Sequence, residues 1–404
     1  MKTIKYFFIL ALFVAMSCQT AQEKVGIIES IKSPANMGSE EPNLFTDSKG
    51  DVYLSWIEKD GKQAKLIYAK LKEGQWSASN MISEGNNWFV NWADYPSLVV
   101  NNELMTAHWL QKRAEGTYDY DVRMMMSNNS GSDWNESFVP HTDGVSAEHG
   151  FVSMLPMDGD KVFATWLDGR YTKGERHEGD GHSDTPAMTL RGAIFDNEGN
   201  ALEEWELDHR VCDCCQTSVA MTANGPAVVY RNRTEDEIRD MSIVRFVDGL
   251  WTAPKIIHSD NWNIAGCPVN GPAIAANDNA VAVAWFTASD NKPKVKMSLS
   301  DDAGASFSTP IIISEGFTNG RVGITMMPDQ SIVVSWMETK DEMAQIMLGH
   351  FNNQGTLLKK MEIAQSTSSR NSGFPVVTSS GNKVYMAWTE TGENSEVRTA
   401  LVKF

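Results

Sequence analysis

Val281-Ala282-Val283-Ala284-Trp285 decides the fold of this chain, because it is one of seven similar stretches that each end in a large aromatic residue. The other six end at Trp56, Trp109, Trp166, Tyr230, Trp336 and Trp388, and successive aromatic anchors lie 51 to 64 residues apart. A short apolar strand and a turn precede each copy, and a strand of alternating residues follows most of them. Short strands at regular spacing predict an all-β repeat protein.

Each repeat has the size of one blade of a β-propeller, which holds three or four strands. We predict a single β-propeller over residues 25–404, with seven blades, or six as the alternative. The last repeat stops at Phe404 without a fourth strand, and the apolar stretch 25–31 before the first repeat could supply it. Closing the ring in this way would leave no open sheet edge.

Residues 1–17 have the features of a bacterial lipoprotein signal peptide. Lys2 and Lys5 are followed by the apolar run 6–16, which is too short to span a bilayer permanently. The small residues before Cys18 resemble a lipobox, so Cys18 is the predicted lipidation site and 18–24 a short tether. The alternative is ordinary signal cleavage beside an incidental cysteine. Lipidation and ordinary cleavage both predict an exported protein. Lipidation further predicts a protein that is anchored in the cell envelope and faces the periplasm or the cell surface.

The composition excludes some partners. The 404 residues include 35 Lys+Arg and 52 Asp+Glu, which gives a net charge of −17. Nucleic acids and anionic membrane surfaces are bound by clustered basic residues, so neither is a predicted partner. The predicted membrane contact is the lipid anchor alone, and we expect a monomer.

One hairpin sequence connects the repeats to a known family. Ser300-Asp301-Asp302-Ala303-Gly304-Ala305-Ser306-Phe307 matches the Asp box of bacterial neuraminidase (BNR) repeats, and Ser127-Asn128-Asn129-Ser130-Gly131-Ser132-Asp133-Trp134 is a looser copy. Together with the repeats, the boxes make the chain resemble the sialidase-like β-propeller superfamily. Its Trp166–Arg170 and Cys212–Cys215 stretches look like those of exported proteins of the exo-alpha-sialidase-like type. The box is structural, so it implies a fold and not a chemistry.

Repeat register predicts where a binding site would lie, because equivalent loops of all blades meet at one end of a propeller. Counting fifteen or eighteen residues back from the anchors, or two forward, collects charged side chains around the mouth of the central channel. Charged groups that converge there would shift each other's pKa values and bind polar ligands. The predicted ligand-binding residues are Glu41, Asp94, Glu148, Arg170, Arg231 and Glu390.

Four cysteines approach the same predicted mouth. Cys212, Cys214 and Cys215 enter the fourth repeat, and Cys267 enters the fifth in the same register as Cys212. Disulfides are the usual state in an exported protein. A thiolate metal site for Cu or Zn, with His209 or His149 as a nitrogen ligand, is the second hypothesis, because metal ions tolerate a wider gap between blades. A buried cluster without ligand is the third. No other cofactor is predicted.

The family resemblance implies an enzymatic alternative. A retaining sialidase needs an arginine cluster, a tyrosine nucleophile with a carboxylate helper, and an acid. By resemblance these roles would fall to Arg321 and Arg370, to Tyr171 with Glu338 or Glu390 as helper, and to Asp168 as acid. However, Ser39-Glu40-Glu41-Pro42 replaces the family's Arg-Ile-Pro, so an anion stands where the substrate carboxylate would bind. We therefore favour binding of a metal or a polar or glycan ligand, with a sialidase-type glycoside hydrolase and a protein-interaction scaffold as alternatives.

Overall fold

The computed structural model describes residues 26–173, 186–340 and 343–404, and they form an all-β propeller of seven blades. The predicted fold class and the choice of seven over six blades are confirmed. The predicted signal peptide 1–17, the tether 18–24 and Cys18 lie outside the described residues.

Strand β1 (Ile27–Ile31) precedes the first blade, and the strands of blades 1 to 4 follow in chain order. Blade 1 holds β2 (Ser39–Thr46), β3 (Val52–Asp60), β4 (Gln63–Lys72), β5 (Gln75–Trp76) and β6 (Asn80–Gly85). Blade 2 holds β7 (Ser97–Asn101), β8 (Leu104–Lys112) and β9 (Tyr120–Ser127), and blade 3 holds β10 (His149–Met157), β11 (Lys161–Asp168), β12 (Met188–Phe195) and β13 (Ala201–Val211). Blade 4 holds β14 (Ser218–Thr222), β15 (Gly225–Arg231), β16 (Met241–Val247), β17 (Leu250–Trp251) and β18 (Lys255–His258).

Blades 5 to 7 repeat the same antiparallel order. Blade 5 holds β19 (Ala273–Asn277), β20 (Ala280–Thr287), β21 (Lys294–Ser300) and β22 (Ile311–Glu315). Blade 6 holds β23 (Thr318–Met326), β24 (Ile332–Lys340), β25 (Met343–Phe351) and β26 (Leu357–Ser366). Blade 7 holds β27 (Val376–Ser380), β28 (Lys383–Glu390) and β29 (Glu396–Lys403). The two helical segments in the described part of the chain are single 3-10 turns, Ser289–Asn291 and Arg370–Ser372. Within the described ranges, neither helix has the length and apolar character that crossing a membrane requires.

The second strand of every blade forms the core. These strands are almost completely buried, and their aromatic anchors pack between neighbouring sheets. Trp56, Trp166 and Trp336 are 0% exposed, and the substituted anchor Tyr230 is buried equally well. Apolar residues on both faces of these strands are therefore explained by contact with a sheet on each side.

The Asp boxes are hairpin clips. In the blade 5 copy, Asp302 accepts hydrogen bonds from the backbone N–H of Ser306 at 2.8 Å and from the Ser300 hydroxyl at 2.7 Å. Gly304 has a φ of +79°, which favours glycine. In the looser copy, Asn129 takes the place of the aspartate and accepts from the N–H of Asp133 at 2.9 Å. Both boxes thus stabilise turns.

The N-terminal strand belongs to the last blade. Strand β1 pairs antiparallel with β29, so that the sheet of blade 7 runs β1-β29-β28-β27. Ile31 accepts a hydrogen bond from the Thr399 hydroxyl at 3.0 Å. Residues from both ends of the propeller therefore share one sheet.

Candidate functional site

The residues fifteen positions before the anchors do lie around the channel mouth. The innermost strands bulge there, and Glu41, Phe151 and Arg321 have left-handed φ values of 55°, 54° and 52°. The N–H of Phe151 donates to Asp94 Oδ1 at 2.7 Å, and the N–H of Arg321 donates to Asn270 Oδ1 at 2.7 Å. Side chains of one blade thus bind the bulge of the next blade, and part of the predicted polar ring serves to join blades.

Gln216 crosses the channel below this ring. Its Nε2 donates to the carbonyl of Ala93 at 2.6 Å, and its Oε1 accepts from the N–H of Gly271 at 2.9 Å. These partners precede blades 2 and 5. The inner strands line cavities of about 250 Å³ and 150 Å³ in the channel. A ligand that binds at the loop face would therefore find the channel crossed by the Gln216 side chain.

Asp94 and Glu148 share the hydroxyl group of Tyr120. The Tyr120 oxygen lies 3.2 Å from Asp94 Oδ2 and 2.8 Å from Glu148 Oε1. Burial raises the pKa of Asp94 to about 8, and burial with the charge of Asp213 raises the pKa of Glu148 to about 7. The structure therefore brings two predicted ligand-binding residues together as a pair that retains protons near neutral pH. Asp94 is only 3% exposed, so Glu148 is the member nearer to solvent.

Asp168 is held as a carboxylate, which does not suit the predicted role of acid. Arg170 binds it through two bonds of 2.8 Å, and the indole of Trp166 donates to it at 3.0 Å. Burial opposes ionisation, but the bond from Arg170 and the charge of His149 outweigh it and lower the pKa of Asp168. Arg170 is likewise occupied and not free for a ligand. Tyr171, the predicted nucleophile, is half-buried in the loop just before the segment 174–185.

The carboxylates two residues past the anchors contact other side chains of the protein. Residues i and i+2 of a strand point to the same side, so the carboxylate meets the indole of its own anchor. Trp56 donates to Glu58 at 3.0 Å, and Trp336 donates to Glu338 at 2.8 Å. Glu338, which also accepts from Lys360, has a lowered pKa; burial opposes this, and its hydrogen bonds cause it. Glu390 instead pairs with Arg398 on the surface.

Of the two predicted substrate-binding arginines, Arg321 is held by the loop that carries Arg370. Arg321 is buried, stacks 4.8 Å from the Trp92 ring and donates to the Ser372 hydroxyl at 2.6 Å. Burial lowers the pKa of Arg321 to about 10. Arg370 is exposed in a 3-10 turn. Arg231 is 2% exposed and donates to backbone carbonyls, including that of Phe286 at 2.8 Å. The side chains of Arg231 and Arg321 thus hold loops of the chain together.

The four cysteines divide into a disulfide and a thiol pair, so the predicted four-thiolate metal site is not the arrangement observed. Cys214 and Cys267 form a disulfide between the loops entering blades 4 and 5. Cys212 and Cys215 are buried free thiols with their sulfurs 3.4 Å apart. The bond from Cys215 lowers the pKa of Cys212 to about 6; burial opposes it, and Arg231 and Arg239 assist.

The two predicted histidine ligands do not join the sulfurs. His149 faces the carboxylates of Asp143 and Asp168 at 3.1 Å and 3.6 Å. The side chain of His209 is 66% exposed beside Asp208. Among the described residues, the sulfurs that lie close enough to share an ion are those of Cys212, Cys214 and Cys215.

A pocket of about 150 Å³ opens where blades 7, 1 and 2 meet. Its floor contains Glu41, whose Oε2 is buried without a hydrogen-bond partner among the described residues. Burial raises the pKa of Glu41 well above its ordinary value. Glu40 in the rim pairs with Lys59. The pocket is lined by Glu40, Glu41, Lys59, Val90, Asn91, Trp92, Asn371, Gly373 and Thr389.

Sequence reasoning missed several residues of these sites. Tyr120 opens the third strand of its blade, and counting from third strands as well as second would have found it. The register count did not select Trp92, because it lies between the two counted positions, Asn91 and Asp94. His141 and Asp143 lie in the connection between blades 2 and 3, which has no counterpart in the repeat. No sequence signal identified them.

Comparison with known proteins supports the fold. No known protein-family profile and no curated protein sequence matches the chain. Among solved structures, it is similar to a Mycobacterium tuberculosis puromycin-hydrolysing peptidase, with a TM-score of 0.51 and 10% identity over 90% of this chain and 51% of that one. A polysaccharide lyase, an ulvan lyase, has a TM-score of 0.49 and 13% identity over 80% of each chain. The phage phi92 endosialidase has a TM-score of 0.49 and 10% identity over 94% of this chain and 69% of that one. At such identities the likeness concerns the fold alone.

Proposed function

We propose that this chain is a glycan-binding propeller of the sialidase-like type, and that the pocket between blades 7, 1 and 2 takes one terminal, uncharged sugar ring. The observation that carries the proposal is the Glu41 carboxyl oxygen that is buried in the pocket without a partner. Leaving such a group unsatisfied costs about 1–3 kcal/mol, which a ligand hydroxyl would recover.

The lining chemistry favours a neutral polyol. Burial raises the pKa of Glu41 and so favours its protonated form, which can both donate and accept a hydrogen bond. Asn91 and Asn371 offer the same two functions, and Trp92 offers an apolar surface. Among the described residues, those that line the pocket include no guanidinium for a sialic acid carboxylate, and Arg321 is engaged by Ser372.

Binding of neutral glycans, measured by calorimetry or on a glycan array, tests this function. We expect Asn371→Ala, a change at an exposed loop position, to weaken binding about 2- to 10-fold through one lost hydrogen bond. Glu41→Ala should remove most of the affinity. Glu390→Gln, outside the pocket, is the control. Failure to bind any neutral glycan, or equal binding by wild type and Glu41→Ala, would refute the proposal.

Hydrolysis is the second candidate, supported by the carboxyl pair of Asp94 and Glu148. Their hydrogen-bonded oxygens are at most 6.0 Å apart, because both bind the Tyr120 oxygen at 3.2 Å and 2.8 Å. Retaining glycosidases separate their carboxyls by about 5–5.5 Å. Release of nitrophenol from neutral aryl glycosides, abolished by Glu148→Gln, is the expected result. No release with wild-type protein leaves a binding protein without catalysis.

Metal binding by sulfur is a separate proposal. Cys212 and Cys215 present two buried sulfurs 3.4 Å apart, and thiolates select Cu(I) or Zn(II). Purification without chelator should yield bound Cu or Zn that is lost in the double variant Cys212→Ser/Cys215→Ser. Two titratable thiols with no metal would leave a plain thiol pair.

Export and lipid anchoring at Cys18 are also proposed. The Cys214–Cys267 disulfide supports an oxidising compartment, where such bonds persist. Labelling with a fatty-acid analogue in a bacterial host should mark wild type and not Cys18→Ala. Unlabelled wild-type protein recovered in soluble form would favour ordinary signal cleavage.

A further inference from the structure

Four cysteines lie together where the chain enters blades 4 and 5, but solvent does not reach them equally. The disulfide joins Cys214, which is half-buried, to Cys267, which is exposed. Cys212 and Cys215 carry free thiols, and each is only 1% exposed. An oxidised pair that is open to solvent therefore lies beside a reduced pair that is closed to it.

The sulfur atoms of the two pairs are close enough to exchange partners. Cys212 and Cys215 have the Cys-x-x-Cys spacing of dithiols that form disulfides. Their sulfurs are 3.4 Å apart, about 1.4 Å more than in a disulfide bond. The sulfurs of Cys212, Cys214 and Cys215 all lie within 4.8 Å of one another. Cys212 thus has a disulfide sulfur on one side and a second thiol on the other.

A guanidinium group identifies Cys212 as the attacking thiol of the pair. Arg239 Nη1 donates a hydrogen bond to Cys212 Sγ at 3.3 Å. Arg239 Nη2 is bound in turn to Glu237 Oε2 at 2.6 Å, which fixes the direction of the guanidinium. A charged donor stabilises the thiolate, and the thiolate is the form of cysteine that attacks a disulfide.

Contacts besides the disulfide hold the two loops together. Gln216 Oε1 accepts from the N–H of Gly271 at 2.9 Å, and Arg231 donates to the carbonyl of Asn270 at 2.7 Å. A Cβ atom at Gly271 would collide with the carbonyl oxygen of Gln216, so the two backbones approach as closely as only glycine allows. Opening the disulfide therefore leaves the sulfurs near one another.

We propose that these four cysteines form a thiol–disulfide exchange site, in which the buried pair passes two electrons to the exposed pair. The substrate class is the disulfide of a small thiol, because the bond between Cys214 and Cys267 presents a single exposed residue to a partner. The site is independent of the glycan pocket, and the same sulfurs cannot exchange while they hold a metal ion.

The exchange within the chain needs no external oxidant. The Cys212 thiolate attacks Cys214 Sγ, and the Cys267 thiolate leaves. The Cys212–Cys214 bond closes a small ring and is labile, so the Cys215 thiolate attacks Cys212 Sγ and releases the Cys214 thiolate. One sulfur–sulfur bond replaces another, and the two protons of the buried thiols pass through solvent to the thiolates of Cys214 and Cys267.

The exposed dithiol then reduces the external disulfide. The Cys267 thiolate attacks one sulfur of the substrate and releases the first small thiol. The Cys214 thiolate attacks Cys267 Sγ, which releases the second small thiol and restores the Cys214–Cys267 bond. In the net reaction Cys212 and Cys215 are oxidised to a disulfide, and the substrate is reduced to two thiols that take up both protons.

Alkylation of the mature protein with a bulky maleimide, in chelator and without reductant, tests the internal step. We expect Cys267 to be labelled in the wild type, because exchange releases it as an exposed thiol. Cys212→Ser is the matched control: it keeps the disulfide, removes the attacking thiol, and its hydroxyl can still accept from Arg239. Labelling of Cys267 should be slower in this variant by at least about 10-fold. Peptide masses locate each label.

Reduction of glutathione disulfide tests the external step. Wild-type protein should release two glutathione thiols per chain. Cys214→Ser/Cys267→Ser should release them at least about 10-fold more slowly, because glutathione disulfide must then reach the buried pair directly. The proposal is overturned if labels appear on Cys212 and Cys215 while Cys267 stays in its disulfide, or if the double variant, shown to be folded by circular dichroism, reacts as fast as the wild type.

Discussion

Buried indoles determine what the acidic residues beside them do. Trp56, Trp166 and Trp336 each donate to the carboxylate two residues later in the same strand. The register that selected Asp168 and Glu338 therefore places each acid beside the indole of its own anchor. A buried N–H must find an acceptor, and the nearest position on the same face of a strand is i+2.

This role predicts a stability difference between two register-equivalent glutamates. Glu338→Ala leaves the Trp336 N–H without its acceptor and should cost about 1–3 kcal/mol of unfolding free energy. Glu390→Ala breaks only a surface pair with Arg398 and should change it by about 0.5 kcal/mol or less. Urea unfolding of both variants measures this, and equal losses would contradict the assigned role.

The carboxyl pair around Tyr120 predicts a dependence of stability on pH. Asp94 has a pKa of about 8 in the folded chain and an ordinary value of 3.8, so between these values the folded state holds a proton that the unfolded state has lost. The free energy of unfolding should therefore fall as the pH rises from about 4 to 8. Asp94→Asn should flatten this slope, and Asn can still accept from the Phe151 N–H. An unchanged slope in urea unfolding across this range would exclude a raised pKa.

At the scale of elements, the loops that enter the blades are fixed to one another. The Cys214–Cys267 disulfide joins the segments before blades 4 and 5, and the bulge of Arg321 is bound by Asn270 of the preceding blade. Repeat register predicted which loops meet, but not which sulfur pairs with which. Hairpins differ in length by a residue or two, and a shift of one residue changes the direction of a side chain. Which sulfurs can pair depends on that direction.

The Cys214–Cys267 disulfide should contribute more to stability than the free thiol of Cys215 beside it. Its cysteines are 53 residues apart, and closing a loop of this size stabilises a fold by about 2–5 kcal/mol. Cys214→Ser/Cys267→Ser should lower the melting temperature, and a reductant should then have no further effect. Cys215→Ser is the control, because it leaves the disulfide intact. The reductant should lower the melting temperature of the control and leave that of the double variant unchanged. If it lowers both equally, the disulfide does not stabilise the fold.

At the scale of the whole molecule, the pairing of β1 with β29 joins the two ends of the propeller in one sheet. Most of β1 is exposed, so its contribution comes from ladder hydrogen bonds and from covering the edge of blade 7 and not from core packing. An uncovered edge strand is a template for pairing with another chain.

Deleting the residues up to Ile31 should therefore expose β29 and promote self-association. We expect a mature chain that begins after Ile31 to melt at a lower temperature and to elute partly as oligomers in light-scattering chromatography. A chain that begins at Gly26 keeps β1 and is the control. Identical monomeric behaviour of the two chains would show that the pairing is dispensable.

By itself, the sequence determined the propeller, its seven blades and the strands that form its core, because alternation and aromatic anchors depend only on local periodicity. Repeat register also predicted that Glu41, Asp94 and Glu148 lie at one end of the molecule. The tertiary structure alone decided which of these acids meets Tyr120, which arginines are engaged by backbone carbonyls, and that His141 and His149 stack between blades. Those outcomes depend on distances of a few ångströms between side chains that are far apart in the chain, and periodicity carries no information at that scale.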